Sequence, residues 1–555
     1  MPHWTVPGTD ERTLGKLLRR QAQERGDDLY LRFGEDRYTF GRTNELANSL
    51  AGGFARLGVR AGTAVHCYLE NSADYVLISF ALAKLGAVCI TTNTAFKDDF
   101  LLRTFAQGDA DCLVVDEGLA ANVAGIWDRY RFDTVVVRPA ASSPAASSPD
   151  AIPGAAAGVG SFPGAGVVDL HELYSDTTAE PATVESVTYS ETATVLWTSG
   201  TTGAPKGVMQ SHNLWIVSGD YMARNRDMVA EDVIYNTMPM YQSGAWIMNL
   251  YPGLIAGLPV ACDPAFSVSE FWDRCRHYGA TQMFTLGAMH VYLWQQPARP
   301  DDRDNPVRSG CCIPMPAAIY EPFKERFGIE YLSEGLGQSE CMPYSMTDRS
   351  RHRWKPNSAG LAREGLEVKI LDRDDREVPV GSPGEICVRP AEPYTIFSGY
   401  WRDPEATVRA WRNLWYHSGD LGRVDSGGEM FFVDRLADFM RYKGRNISSF
   451  EVEMVAARHP AVYEVAAHAV PADELASEDE IKIVVVLKEG AEASAEELAR
   501  YINDHAPYYM VPRYIEFVTD MPHTPTGRVE KYKLRALGNS GRTWDRDAAG
   551  FLVTR

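Results

Sequence analysis

Apolar residues recur at helical spacing through "YTFGRTNELANSLAGGFARLG" (residues 38–58), and Gly58 ends the run, which predicts a helix. "TAVHCYLEN" (63–71) predicts a buried strand, and "ADYVLISFALAKLGAVCITTN" (73–93) a helix, a glycine stop and a further strand. "ADCLVVDE" and "DTVVV" predict two more short strands. Strands alternating with helices indicate parallel sheets built from crossover units. Past residue 436 the pattern changes. "DFMRYKGRNISSFEVEMVAARHP" predicts a strand, a turn and a helix, followed by the apolar "IKIVVVLKEG", the amphipathic "SAEELARYINDHAP" and "YIEFV". This reads as a compact α+β unit, so a boundary is expected at Leu436–Ala437, with domains at 1–436 and 437–555. Residues 138–166, rich in Ala, Ser, Pro and Gly, cannot bury enough apolar surface to order themselves and read as a surface insertion.

Composition narrows the function. Net charge is −19, from 55 basic and 74 acidic residues, which argues against a nucleic-acid partner because phosphate backbones require concentrated Lys and Arg. No apolar run is long enough to span a bilayer, so no membrane insertion is expected. The opening "MPHWTVPGTDERTLGKLLRR" lacks the apolar stretch of a signal peptide, and nine cysteines occur without CxxC pairs. Both features fit a cytoplasmic protein. Cys311 and Cys312 are adjacent and point to opposite sides of an extended chain, which favours two small buried residues over a metal site.

The strongest local signal is "ATVLWTSGTTGAPKGVMQSH" (193–212). A strand runs into Thr198, Ser199, Gly200, Thr201, Thr202, Gly203, Ala204, Pro205 and Lys206, and the helical pattern "NLWIVSGDYM" follows. Glycines let backbone approach a ligand, hydroxyls and amides donate to phosphate oxygens, and Lys206 adds charge. Pro205 stands where the nucleoside-triphosphatase loop G-x-x-x-x-G-K-[ST] has its second glycine, so the loop is not of that type. "SGTTG" alone would suit a hairpin; the lysine and a strand–loop–helix setting favour phosphate.

This stretch resembles the phosphate loop of the adenylate-forming superfamily, which includes acyl-CoA synthetases, peptide-synthetase adenylation domains and luciferases. "EGLGQSE" (334–340) is similar to that family's adenine and magnesium segment, and "GEICVR" (384–389) and "SGYWRDPEAT" (398–407) to two others. "WYHSGDLG" (415–422), "VDRLADFM" and "YKGRNISSFEVE" (442–453) continue the likeness over nearly the whole chain. The resemblance implies an α/β protein: a large N-terminal domain of stacked parallel-rich sheets with helices and a small β-barrel-like subdomain, plus a small mobile α+β lid. It implies ATP and Mg²⁺ as cofactors, Glu340 as metal ligand, and Ser339 near phosphate, with Leu336, Gly337 and Gln338 beside the nucleotide. Asp420 accepts the ribose hydroxyls, Arg435 holds the same ribose, Lys443 and Gly444 tip the lid loop, and Ala437 is the hinge. Taken singly, Asp420 also fits a turn and His417 a packed side chain.

In that family ATP and a carboxylic acid give an acyl-adenylate and pyrophosphate, and a second nucleophile, often the CoA thiol, takes the acyl group. Four residues depart from the pattern. Arg528 in "TPTGRVEKYKLR" stands at the place of the catalytic lysine, while Lys531 and Lys533 fall at ordinary positions. Gln242 replaces a histidine, Leu336 an adenine-stacking tyrosine, and Ala437 a charged hinge residue. Arg and Lys are not interchangeable at a tight site. These departures fit an acid–CoA ligase with variant residues, or a diazotase-like enzyme that activates nitrite and diazotises an aryl amine. A nucleotide-binding protein without turnover is the third reading.

The acid pocket is expected from Tyr241, Gln242, Trp246, Met248, Phe284, Met289, Cys311, Met315 and Gly335, an apolar wall suited to an aromatic or medium-length acid. Expected partners are a small-molecule acid or aryl amine, with CoA as co-substrate and a homodimer left open. Arg441, Lys443 and Arg445 read more simply as a solvated face than as a site for the thiol carrier.

Overall fold

The computed structural model describes residues 3–139, 162–175, 177–198, 206–348, 355–436, 438, 440–442, 445–471, 479–523 and 529–553. The predicted helices and strands are present. The 38–58 pattern becomes the helix Phe40–Arg56, capped by the Thr39 side chain and followed by Gly58 at φ +87°. The helix Ala73–Leu85 is capped by Ser72 and stops at Gly86 in the left-handed region, where a side chain would be strained.

An eight-stranded sheet and a seven-stranded sheet dominate the larger of two compact units. In the first, Thr192–Thr198, Val88–Thr91, Ala64–Tyr68, Cys112–Asp116, Thr134–Arg138 and Gly166–Asp169 pair in parallel in that spatial order. In the second, Tyr331–Ser333, Ser309–Ile313, Gln282–Leu286, Ile234–Asn236, Val260–Cys262 and Leu29–Phe33 are parallel neighbours. One apolar core joins both sheets to the helices, and includes Leu31, Val65, Leu77, Trp246 and Phe284. Cys311 enters that core, whereas Cys312 enters a second core with Tyr235 and Phe323. The two thiols therefore point to opposite faces of one strand, as alternation requires.

The expected surface insertion at 138–166 falls mostly outside the described residues. It joins two parallel neighbours, Thr134–Arg138 and Gly166–Asp169, and Phe162 near its end is buried against Trp127, with ring centroids 4.9 Å apart.

Two sequence expectations need correction. The glycine-rich loop does not lead directly into a helix. Lys206–Ser211 is a strand that pairs antiparallel with Thr192–Thr198, and the helix begins only at His212. Val208, Gln210 and Ser211 are buried, and the run is too short and unpatterned to separate from the helix by periodicity. The expected barrel-like piece is an open four-stranded sheet, Leu366–Leu371, Gly384–Pro390, Tyr416–Val424 and Met430–Arg435, and no pairing among the described residues closes it.

The smaller unit takes in Val368–Val388 and the chain from Trp411 onward. Its C-terminal sheet orders Val462–Pro471, Asp479–Leu487, Tyr514–Phe517 and Trp544–Asp545, covered by the helix Ala495–His505. Ser494 and Glu497 form a capping box at that helix's start. Trp544, Phe551 and Val553 pack on the same core.

Buried histidines make the larger unit acid-sensitive. His66 lies between Phe105 and Phe132, and His212 accepts from the Leu14 N–H; burial pushes both down to about 3. Burial pushes His290 down to about 4. These folded values lie below the unfolded value, so the associated stability is complete above pH 6.5 and is lost as pH falls toward 4 and 3. Each such histidine contributes a slope approaching ~1.4 kcal/mol per pH unit. The melting temperature should fall steeply between pH 6.5 and 5; an unchanged melt over that range would contradict the burial argument.

Candidate active site

In the larger unit the strand Gly335–Gln338 turns back into Cys341–Met346, with Gln338 opposite Cys341, so Ser339 and Glu340 form the two-residue turn. Gly335 is required by close approach: a Cβ there would stand 2.1 Å from Met346 Sδ and 2.5 Å from the Ser345 carbonyl. Three bonds hold the turn. Gln210 Nε2 donates to the Ser339 carbonyl at 2.6 Å, the Phe397 N–H to the Glu340 carbonyl at 2.8 Å, and the Tyr400 hydroxyl to Glu340 Oε1 at 2.9 Å. Glu340 itself is buried.

Tyr400 reaches Glu340 because Gly399–Tyr400 pairs antiparallel with Lys206–Ser211. The same pairing sets Lys206 Nζ over the Tyr400 ring, 4.9 Å from its centroid. Thr198 sits opposite Lys206 in the antiparallel pair. The structure thus brings Lys206 and Glu340 together at Tyr400, with Thr198 paired to Lys206 and Ser339 next to Glu340 in the turn. Tyr400 lies within a quoted motif to which sequence reasoning gave no role. Ser199, Gly200, Thr201, Thr202 and Gly203 lie outside the described residues.

The expected pocket residues divide. Gln242 precedes the short helix Ser243–Ala245, its N–H donating to the Pro239 carbonyl at 3.0 Å, and the chain then winds into a π-helical turn, Trp246–Leu250. Trp246 donates its indole N–H to the Met240 carbonyl at 2.6 Å. Tyr241 accepts through its carbonyl from Thr91 Oγ1 at 3.1 Å. Gly244 lacks the side chain that would press on the Phe284 ring, since a Cβ there would be 3.1 Å away. Trp246, Met248, Phe284 and Cys311 share the large core with Met289 at its edge, whereas Met315 belongs to the second core with Cys312.

In the smaller unit Asp420 lies directly opposite Arg435 across two antiparallel strands. Arg435 Nη1 stands 2.8 Å from Asp420 Oδ1. Asp420 is buried and Arg435 is partly exposed. Gly419, at φ +69°, makes the turn that aims Asp420. Glu385, Cys387 and His417 lie close by in sequence pairing. Among the described residues they form the one cluster of three metal-capable side chains, with ligand atoms within 4.8 Å of one another. An ordinary charge network accounts for them. His417 Nδ1 lies 2.9 Å from Glu385 Oε2, and Arg412 Nη2 donates to the same oxygen at 2.8 Å, so that side of the carboxylate already faces a cation. Burial raises the Cys387 thiol well above its ordinary range.

Ala437, Lys443, Gly444 and Arg528 lie outside the described residues. Lys531, an ordinary position by sequence, donates to Ser449 Oγ at 2.6 Å and pairs with Glu453 Oε1 at 2.7 Å. It is held by this network beside helix Ser449–Ala456.

Two parallel-rich sheets with their helices in the larger unit, and a smaller unit with its own sheets and helices, are the architecture of the adenylate-forming class of α/β protein. The chain belongs to the AMP-binding enzyme family: the family's profile matches residues 18–401, and that of the AMP-binding enzyme C-terminal domain matches 451–528. It is 28% identical over 505 residues to a crotonobetaine/carnitine–CoA ligase of Salmonella typhi, covering 90% of this chain and 93% of that protein. Solved structures share the fold. An anthranilate CoA ligase in complex with anthranoyl-AMP matches with a TM-score of 0.80 at 22% identity, over 100% of this chain and 99% of that one. A benzoate CoA ligase from Burkholderia xenovorans matches with a TM-score of 0.79 at 22% identity, over 94% and 99%. No helix among the described residues is long and apolar enough to cross a membrane.

Proposed function

We propose that this enzyme uses ATP to activate a carboxylic acid as its adenylate and passes the acyl group to the CoA thiol. The observation that carries this reading is the convergence of Lys206 and Glu340 on Tyr400. A carboxylate oxygen of the acid attacks the α-phosphorus, pyrophosphate leaves, and the thiol sulfur then displaces AMP from the acyl carbon. Such chemistry depends on in-line positioning and charge stabilisation.

Glu340 fits Mg²⁺: it offers a hard carboxylate, anchored through one oxygen by Tyr400, of the kind the ion takes from protein when it bridges phosphates. Bound there, Mg²⁺ would neutralise charge on the phosphates. Lys206 and the hairpin hydroxyls and amides hold phosphate oxygens, Asp420 accepts the ribose hydroxyls, and Arg435 fixes that carboxylate. Leu336 gives the adenine an apolar contact in place of a stacked ring. Ala437 is the hinge, with Lys443 and Gly444 on the lid loop.

The wall around Trp246 and Phe284 favours an aromatic or medium-length acid, and the acids named for the relatives, among them benzoate and anthranilate, support this. ATP–pyrophosphate exchange with a panel of such acids tests the reading. Acid-dependent exchange supports it; no exchange with any acid, alongside normal ATP binding, would refute it.

A second reading rests on Arg528 and Gln242. A guanidinium fork can hold nitrite as it holds a carboxylate. Nitrite oxygen would attack the α-phosphorus with loss of pyrophosphate, an aryl amine would take the nitrosyl group with loss of AMP, and water would leave to give the diazonium ion. The Arg528→Lys exchange separates the two. Under acid activation, lysine maintains or raises the exchange rate with the best acid; a fall of about tenfold or more would show that the fork is matched to a different anion.

A further inference from the structure

The turn that carries Asp420 is clamped by one buried carboxylate. Glu385 Oε1 accepts the Gly419 N–H at 3.0 Å, while Oε2 accepts from His417 Nδ1 at 2.9 Å and from Arg412 Nη2 at 2.8 Å. His417 Nε2 faces the Arg412 carbonyl at 3.2 Å, so the ring is held from both sides. Ser418 completes the clamp, donating through Oγ to the Ile386 carbonyl at 2.6 Å and accepting the Asp420 N–H at 3.0 Å.

The strand pairing explains why Glu385 can do this. The register between Gly384–Pro390 and Tyr416–Val424 shifts between Glu385 and Cys387, from Glu385↔Leu421 to Cys387↔His417. The shift leaves residues 418–420 without a partner in the register on Gly384–Pro390, while Asp420 keeps Arg435 opposite it on the other side; such a bulge re-aims a side chain. Side-chain bonds from Glu385 and Ser418 supply what the ladder does not. Burial raises the Glu385 pKa, but the bonds from His417, Gly419 and Arg412 outweigh it and hold the carboxyl below its ordinary value. The ionised form is therefore the one that accepts all three donors.

We propose that Glu385 is the positioning residue for Asp420 and so sets how strongly the enzyme recognises the hydroxyls of the nucleotide sugar. The inference rests on the reading of Asp420 as the ribose acceptor. Glu385 touches no ligand in this role. It fixes the left-handed turn at Gly419, and the turn fixes the direction of the Asp420 carboxylate. Without the clamp Asp420 is still present, but it is spread over several orientations, and the discrimination between sugars with and without hydroxyls decays.

The test is binding of ATP and of 2′-deoxy- and 3′-deoxy-ATP to the full chain, measured by calorimetry, which requires no acid substrate. The wild-type protein should prefer ATP over at least one deoxy analogue by about tenfold or more, the scale of one or two hydrogen bonds to a charged group. Asp420→Ala should bring that ratio close to one. Glu385→Ala should bring it to within about threefold of the Asp420→Ala value, and the double variant should lose nothing further.

Glu385→Gln keeps the volume, but its amide turns a donor toward His417 and Arg412, so its ratio should fall between wild type and Glu385→Ala. It decides the question if the alanine variant does not fold. A wild-type ratio in the Glu385 variants, together with a lost ratio in Asp420→Ala, would overturn the positioning role alone. An additive loss in the double variant would overturn it as well. A wild-type ratio in Asp420→Ala would overturn the ribose assignment, and the inference would fall with it.

Discussion

Glu340→Gln is expected to lower ATP–pyrophosphate exchange by about 10²–10³-fold, the scale of losing one preorganised electrostatic contact in a transition state. The substitution preserves volume, and the amide oxygen of the replacement can still accept from the Tyr400 hydroxyl. The backbone bond from the Phe397 N–H to the Glu340 carbonyl does not depend on the side chain. The turn therefore stays in place and the protein should melt as the wild type does. What is removed is the negative charge, the property that suits the residue to a hard cation. Raising Mg²⁺ concentration should recover part of the rate if the defect lies in metal affinity. Equal exchange in the variant and the wild type would remove Glu340 from the site.

Arg226→Leu is expected to destabilise the larger unit by about 3 kcal/mol or more. Arg226 is fully buried at the end of helix His212–Asn225. It donates to Gln282 Oε1 at 3.2 Å, to the Met283 carbonyl at 3.2 Å, and to the Met248 carbonyl within the π-helical turn. Burial, with the nearby charge of Arg308, pushes its guanidinium down to about 10, so holding this charge inside carries a cost. The cost is offset by bonds to acceptors that no water reaches, and leucine would leave those acceptors unpaired. The effect extends to the π-helical turn, because Met248 and Trp246 both belong to it. Chemical denaturation reads the stability loss directly. A variant as stable as the wild type would mean that the carbonyls find other donors.

Much of the fold was legible in the sequence, for physical reasons that differ by element. The helix Ala73–Leu85 could be read from Ser72 at one end and Gly86 at the other, and the strand Ala64–Tyr68 from a mostly apolar run interrupted only by His66. The strand Val462–Pro471 was not foreseen. It alternates imperfectly through "VYEVAAHAVP", and its pairing with Asp479–Leu487 is a contact made only in the folded chain. The strand Lys206–Ser211 was absorbed into the approach to its helix, although the hairpin it forms is what places Lys206 beside Tyr400.

The site was legible where a motif carries its own chemistry, and less so where a residue acts through a neighbour. Lys206 could be proposed because its charge follows a Gly/Thr-rich run, whereas the roles of Glu340, Asp420 and Arg435 were implied by the resemblance of their segments to the adenylate-forming superfamily. Tyr400 and Glu385 stood in quoted segments without a role, since their meaning lies in hydrogen bonds across strands distant in sequence. The residues expected to line the acid pocket show the converse limit. Met315 and Cys311 are close along the chain, yet Met315 lies past the end of the strand Ser309–Ile313 and joins Cys312 in the second core, while Cys311 enters the first.

Product analysis by mass spectrometry tests the central claim most directly. The purified protein is given ATP, Mg²⁺ and CoA with a panel of aryl and aliphatic acids, and in parallel amino-aryl acids with nitrite. The account predicts a thioester and AMP with at least one aromatic or medium-length acid. AMP with a diazonium product and no thioester from any acid would contradict it, and would make Arg528 part of a site rebuilt for nitrite.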